Sequence, residues 1–216
     1  MSALFPRWSN TAVRIVLVGL ALGAVGVPAA MMAWVRTPNA TGQGDPVEQP
    51  VAVDHRLHVR GFRIDCRYCH AAVERAATAG MPASAACVPC HNQAWLQADA
   101  FAPVRRSLAT GRPIAWQRVT RLADFVYFDH SVHVTKGIGC ESCHGRVDRM
   151  ARVVQAAPLT MSWCLDCHRN PEAHLRPVAH MTTMGWQPRA PQAELGAELA
   201  RRYQVRRYTM CTACHR

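Results

Sequence analysis

Five times in its 216 residues the chain repeats a pentapeptide of the form C-x-x-C-H. The copies are Cys66-Arg67-Tyr68-Cys69-His70, Cys87-Val88-Pro89-Cys90-His91, Cys140-Glu141-Ser142-Cys143-His144, Cys164-Leu165-Asp166-Cys167-His168 and Cys211-Thr212-Ala213-Cys214-His215. All ten cysteines fall inside these motifs. On a helical turn the spacing brings both thiols to one face and sets the imidazole beside them. That is the pattern of covalent haem attachment, in which two thioethers hold the porphyrin and the adjoining histidine coordinates its iron. The chain is therefore expected to carry five haem c groups. Cys66, Cys69, Cys87, Cys90, Cys140, Cys143, Cys164, Cys167, Cys211 and Cys214 would attach them, with His70, His91, His144, His168 and His215 as proximal ligands. Zinc sites and disulfide frameworks also use paired cysteines, but neither requires a histidine directly after every pair.

An electron-carrying haem needs a sixth ligand, and six histidines remain: His55, His58, His130, His133, His174 and His180. Four form two H-x-x-H pairs, each followed by a glycine-containing stretch and two haem motifs. The offset between the two copies is 75 residues at the histidines, 74 at the first motif and 77 at the second, which points to an internal duplication covering 55–91 and 130–168. His55, His58, His130 and His133 are accordingly expected to be distal ligands. A fifth haem motif at 211–215 lies outside the duplication, and for the one distal ligand still needed Met161, three residues before Cys164, is the first candidate, with Met184, Met210, His174 and His180 as alternatives; the sequence does not say which haem each distal ligand serves. No residue is expected to be catalytic.

From Ile15 to Val35 runs a stretch of 21 uncharged residues, about 31 Å as a helix and enough to span a bilayer core. Residues 1–36 are read as a membrane anchor, spanning about 15–35. Arg7 and Arg14 before it outnumber Arg36 after it, which favours a cytoplasmic N-terminus with the haem domain in the periplasm or on the outer face of a bacterial cytoplasmic membrane. A cleaved export signal is the competing reading, disfavoured by the length of the uncharged run. Residues 37–54, rich in Pro, Gly and polar side chains, read as a tether, and 55–216 as the pentahaem domain.

The net charge of +11 does not indicate nucleic-acid binding, because no basic run carries interleaved aromatics. Five haems would bring about ten propionate charges, nearly balancing the excess. The basic residues are 24 arginines against the single lysine Lys136, and a guanidinium fork suits carboxylates. Helices are expected at 92–110 and from Gln192 to Tyr203, and an extended segment from Leu122 to Phe128. The expected fold is a multihaem cytochrome c, mainly α with much irregular coil, organised around stacked haems, plus the N-terminal transmembrane helix.

The runs Asp124-Phe125-Val126-Tyr127-Phe128-Asp129-His130-Ser131-Val132-His133, Lys136-Gly137-Ile138-Gly139-Cys140 and Met161-Ser162-Trp163-Cys164-Leu165-Asp166-Cys167-His168-Arg169-Asn170-Pro171 resemble the pentahaem subunit of bacterial alternative complex III. The resemblance extends over nearly all of the exported part, including His55 to His70. It implies a subunit of a respiratory, quinol-oxidising membrane complex, beside an iron-sulfur subunit, an integral quinol-binding subunit and a monohaem cytochrome c. Such a chain would relay electrons to a periplasmic or membrane-bound acceptor such as a cytochrome c, and would be no enzyme on its own. Two other readings differ in class. A stand-alone membrane-anchored quinol dehydrogenase would hold its first haem against the bilayer, yet about 30 residues separate Val35 from Cys66. A haem enzyme reducing nitrite or a similar small molecule would need an iron without a sixth protein ligand.

Overall fold

The long uncharged stretch becomes the longest helix of the computed structural model, which describes residues 5–215. Helix α1 spans Ser9–Trp34, 26 residues or about 39 Å, and none of its side chains is buried against the protein. It is long and apolar enough to cross a membrane. A single turn, α2 (Pro38–Thr41), follows and ends on Gly42 in the left-handed conformation. Residues 1–42 form one unit, and residues 43–216 a second with its own packing. The outermost residues of the expected anchor and haem domain, 1–4 and 216, lie outside the described part.

Short helices punctuate the second unit. A π-helical turn at Arg56–Gly61 is followed by α3 (Cys66–Cys69), α4 (Val88–His91), α5 (Ala102–Thr110), α6 (His130–Thr135) and α7 (Glu141–His144). The last three are α8 (Met161–Arg169), α9 (Gln192–Arg202) and α10 (Cys211–Cys214). Among the described residues the backbone forms no strand, only isolated bridges such as Ile138 with Leu175 and Val126 with His215. The segment expected to be extended, 122–128, contributes one of these bridges. The helix expected over 92–110 starts only at Asp99 with a 3-10 turn leading into α5, because Trp95 takes a positive φ of 66° that breaks any helix.

Not all of the Pro- and Gly-rich stretch 37–54 is a free tether. Gln43 and Pro46 bridge to Gln155 and Val154, and the Gln49 amide exchanges two hydrogen bonds with the Gln117 backbone, at 2.9 and 3.0 Å. Val51 is buried against Val104 and Ile114, with Phe101, Leu96 and Trp116 around them. Composition marks this stretch as irregular but does not reveal the glutamine amides and the single valine that fasten it down.

The polypeptide interior is small. A second cluster joins Val73, Val134 and Met181, linking the first repeat to the second. Leu175 and Leu199 are buried where α9 lies on the 3-10 turn Pro171–Ala173. There Gly196 allows the helix to approach so closely that a methyl group would lie 2.0 Å from the Glu172 carbonyl oxygen.

Candidate haem sites

Each C-x-x-C-H motif folds as a short helical turn. At the first, third and fifth motifs the histidine amide closes the turn on the carbonyl of the first cysteine: His70 to Cys66 at 2.8 Å, His144 to Cys140 at 3.0 Å and His215 to Cys211 at 2.9 Å; the fourth motif lies inside α8. Local side chains start these turns. The Asp65 carboxylate accepts from the Arg67 amide at 2.9 Å, and Thr160 Oγ1 caps α8 through the Trp163 amide at 3.4 Å. All ten cysteines are free. Exposed apolar side chains flank the motifs: Phe62 and Tyr68 at the first, Trp95 at the second, Met161 at the fourth, Phe125 and Met210 at the fifth.

Histidines of the H-x-x-H pairs meet the motif histidines in three pairs. The ring centres of His58 and His91 are 6.2 Å apart, those of His130 and His144 6.2 Å, and those of His133 and His168 6.1 Å. An imidazole nitrogen binds a metal at about 2 Å and lies about 1.1 Å from its ring centre, so two imidazoles on opposite sides of one ion have centres about 6 Å apart. His55 lies beside His70 and His58; burial holds its imidazole below the ordinary range, and the two neighbours push the same way. Within each H-x-x-H pair the first histidine thus faces the first motif of its repeat and the second faces the second motif.

Backbone carbonyls fix the orientation of these rings. Nδ1 of His58 donates to the Asp54 carbonyl at 2.8 Å and Nδ1 of His133 to the Asp129 carbonyl at 2.7 Å, the same contact in both repeats. Nδ1 of His70 donates to Gly80, that of His130 to Ala77 and that of His215 to Phe125, at 2.8, 2.8 and 3.2 Å. A proton held on Nδ1 leaves the Nε2 lone pair free for a metal. His55 and His91 have buried Nδ1 atoms without such a partner. The donor set, its spacing and its tautomers fit haem held by two cysteines and an imidazole on either side.

The five C-x-x-C-H motifs neighbour one another in an order different from their order in the chain. Cys87 adds to the upward push of burial on the Cys69 thiol, so the first and second sites adjoin. Cys140 lies beside Cys66 and holds its thiol up, with burial adding to the effect, and His70 neighbours His144. Burial pushes the Cys143 thiol up to about 11, with Cys167 and Cys164 adding to it. Burial likewise raises Cys164, where Cys214 contributes. The sites therefore follow one another as second, first, third, fourth and fifth. Burial holds the His144 imidazole at about 4, with His130 and His70 adding, so this central ring stays neutral at ordinary pH.

Around the third site lies a group of charges that no motif marks. Arg176 donates from Nη2 to Glu141 Oε1 at 2.8 Å and from Nη1 to the Thr183 carbonyl at 3.1 Å, with Trp186 under its guanidinium at 5.2 Å. Glu141 Oε2 accepts from the Gly185 amide at 2.6 Å. Phe128, stacked on His133 at 4.4 Å and edge-on to His130 at 4.8 Å, was equally unmarked; its counterpart 75 residues earlier is Val53.

Among the described residues, the ring neighbour of His215 is Phe125, at 5.6 Å, rather than a second imidazole. Met161 and Met210 are exposed, as are His174 and His180, the latter stacked on Trp186 at 6.0 Å, while Met184 is half-buried. Met161 shares a face of α8 with Cys164, the thiol that neighbours Cys214.

Residues 126–216 match the model of the family described as cytochrome c7 and related cytochrome c. The chain is also similar to the menaquinone reductase, multihaem cytochrome c subunit of Nitratidesulfovibrio vulgaris strain Hildenborough. The two are 31% identical over 99 residues, covering 45% of this chain and 46% of that protein. The match thus spans less than half the length of the relative.

Proposed function

We propose, for a chain whose fold is that of a multihaem cytochrome c, mostly helical with coil, that it holds five haem c groups and serves as the electron-transfer subunit of a membrane quinol-oxidising complex. The observation that carries this reading is the set of three imidazole pairs at 6.1–6.2 Å. Imidazoles on both faces leave an iron no open position for a substrate, which suits electron transfer and not bond chemistry. Haem supplies the uptake and release of one electron at iron.

The chain's own residues hold, orient and order the carriers. The ten motif cysteines would attach them, and His70, His91, His144, His168 and His215 would be the proximal ligands. His55 would serve with His70, His58 with His91, His130 with His144 and His133 with His168, and Met161 would serve with His215. The carbonyls of Asp54, Ala77, Gly80, Asp129 and Phe125 keep Nδ1 protonated on five of these rings. Neighbouring sites would pass electrons in the order second, first, third, fourth and fifth, with Trp95 beside the second and Phe125 beside the fifth. The small polypeptide core leaves much of the apolar interior to the porphyrins themselves.

The resemblance to the alternative complex III subunit supports partners of three kinds: an iron-sulfur subunit, an integral quinol-binding subunit and a monohaem cytochrome c. Helix α1 would be the single-pass anchor, N-terminus in the cytoplasm and haem domain on the outer face. The menaquinone reductase subunit of Nitratidesulfovibrio favours a second reading by its name, with electrons passing toward menaquinone instead of away from quinol. Purification from membranes followed by native and denaturing mass analysis tests the proposal. We expect co-purifying subunits and about 3 kDa of covalent mass beyond the polypeptide; a chain that purifies alone, or at its amino-acid mass, refutes it. Reduction of the complex by added quinol, against its oxidation by added quinone, distinguishes the two directions.

A further inference from the structure

The third attachment site contains a buried cation that no haem ligation requires. Arg176 is 8% exposed, and its Nε has no hydrogen-bond partner. Its guanidinium lies on the backbone directly before Cys140: a methyl group at Gly139 would come within 2.4 Å of both Cζ and Nε. Gly137 makes room for the same segment, since a methyl there would lie 2.5 Å from the Arg176 carbonyl oxygen. Both glycines are buried. The Arg176 amide donates to the Gly137 carbonyl at 2.9 Å and Cys140 donates to Met181 at 2.9 Å, so residues 176–181 and 137–140 are bound together and the charge cannot swing away. Its partner Glu141 is also mostly buried and is fixed by the Gly185 amide.

A buried ion pair carries a desolvation penalty and is weak evidence for stability. A fixed charge near a redox centre has a definite effect, however. Uptake of one electron lowers the charge at iron by one, so a nearby cation favours the reduced form and an anion the oxidised form. The electrostatic influence of Arg176 already reaches the Cys140 sulfur, where it opposes that of Asp65.

We infer that Arg176 and Glu141 are a built-in charge pair that sets the reduction potential at the third site, where the two repeats meet: Arg176 raises it and Glu141 lowers it. Arg176 is a positioning residue, acting through space on a group it does not ligate. The inference rests on the proposed haem attachment at Cys140 and Cys143.

The test is a redox titration of the purified complex by visible absorption, with dithionite as reductant and ferricyanide as oxidant, on the wild type and three variants. Arg176→Met removes the charge and keeps the length, and should shift one titration wave downward while the others stay. Arg176→Lys keeps the charge without the fork, and should leave that wave near its wild-type position. Glu141→Gln should move the same wave upward. Equal shifts in the Met and Lys variants, or no shift in either, would mean that Arg176 only braces the loop, and would overturn the inference. Should Arg176→Met fail to mature, Glu141→Gln alone decides, and an unmoved or lowered wave counts against us. Peptide mass analysis of residues 137–145 separates the two levels. Without haem on that peptide the proposed function fails, whereas haem present with unmoved potentials overturns only this inference.

Discussion

Replacing His130 with alanine should leave a folded protein with one altered haem. The side chain contributes one hydrogen bond, Nδ1 to the Ala77 carbonyl at 2.8 Å, whose loss costs about 1 kcal/mol. Its backbone amide still reaches the same carbonyl at 3.1 Å, and Asp129 still caps α6 through the Ser131 and Val132 amides. Alanine recovers about 0.5 kcal/mol of helix propensity, so the net loss of stability is about 0.5 kcal/mol. The ligand effect is larger, because the ring facing His144 at 6.2 Å disappears. About one fifth of the low-spin haem signal should convert to high-spin in visible and electron paramagnetic resonance spectra. Added imidazole should enter the gap and restore the low-spin form. An unchanged spectrum in the variant would refute the pairing and, with it, the use of ring spacing to assign the other distal ligands.

Gly196→Ala ought to destabilise the protein although alanine is the better helix former by about 1 kcal/mol. The methyl group meets the Glu172 carbonyl at 2.0 Å, and separating α9 from it strains both Gln192 Nε2 bonds, to Glu172 and Leu175 at 2.9 Å. We expect a net loss of about 2 kcal/mol in denaturant titrations; an increase in the midpoint would contradict the packing. Asp148→Asn should cost about 2 kcal/mol at neutral pH, since Arg146 grips that buried carboxylate at 2.6 and 2.7 Å. Arg146 holds the Asp148 carboxyl below its ordinary 3.8, so the stabilisation is complete above that value and is lost as pH falls through the lowered one. Urea midpoints of wild type and variant should converge on acidification, and a constant gap down to low pH would argue for packing alone.

The C-x-x-C-H motifs and the H-x-x-H pairs stand out in the sequence because they repeat fixed residue types at fixed short spacings, and the structure brings three of their imidazole pairs to 6.1–6.2 Å. The long helix was legible for a similar reason: 21 uncharged residues in a row leave few other structures open to them, and α1 extends that run by a turn or more at its start. Matching of ligand to motif was not legible, since it depends on loops that bring residue 58 to residue 91 and residue 133 to residue 168. Arg176 was hidden among 24 arginines, and only the closeness of Gly137 and Gly139 singles it out. The late start of α5 follows from the backbone of Trp95, a conformation that no local propensity announces.

The carbonyls of Ala76 and Ala77 belong to the loop after the first haem motif, yet they receive the amides of Ser131 and His130 and the His130 ring. A duplicated segment ordinarily leaves two halves that can be separated. Here the His130 ring of the later segment takes its aim from the earlier one, so a fragment cut at residue 126 would keep the cysteines of the last three motifs and lose the carbonyls that orient His130.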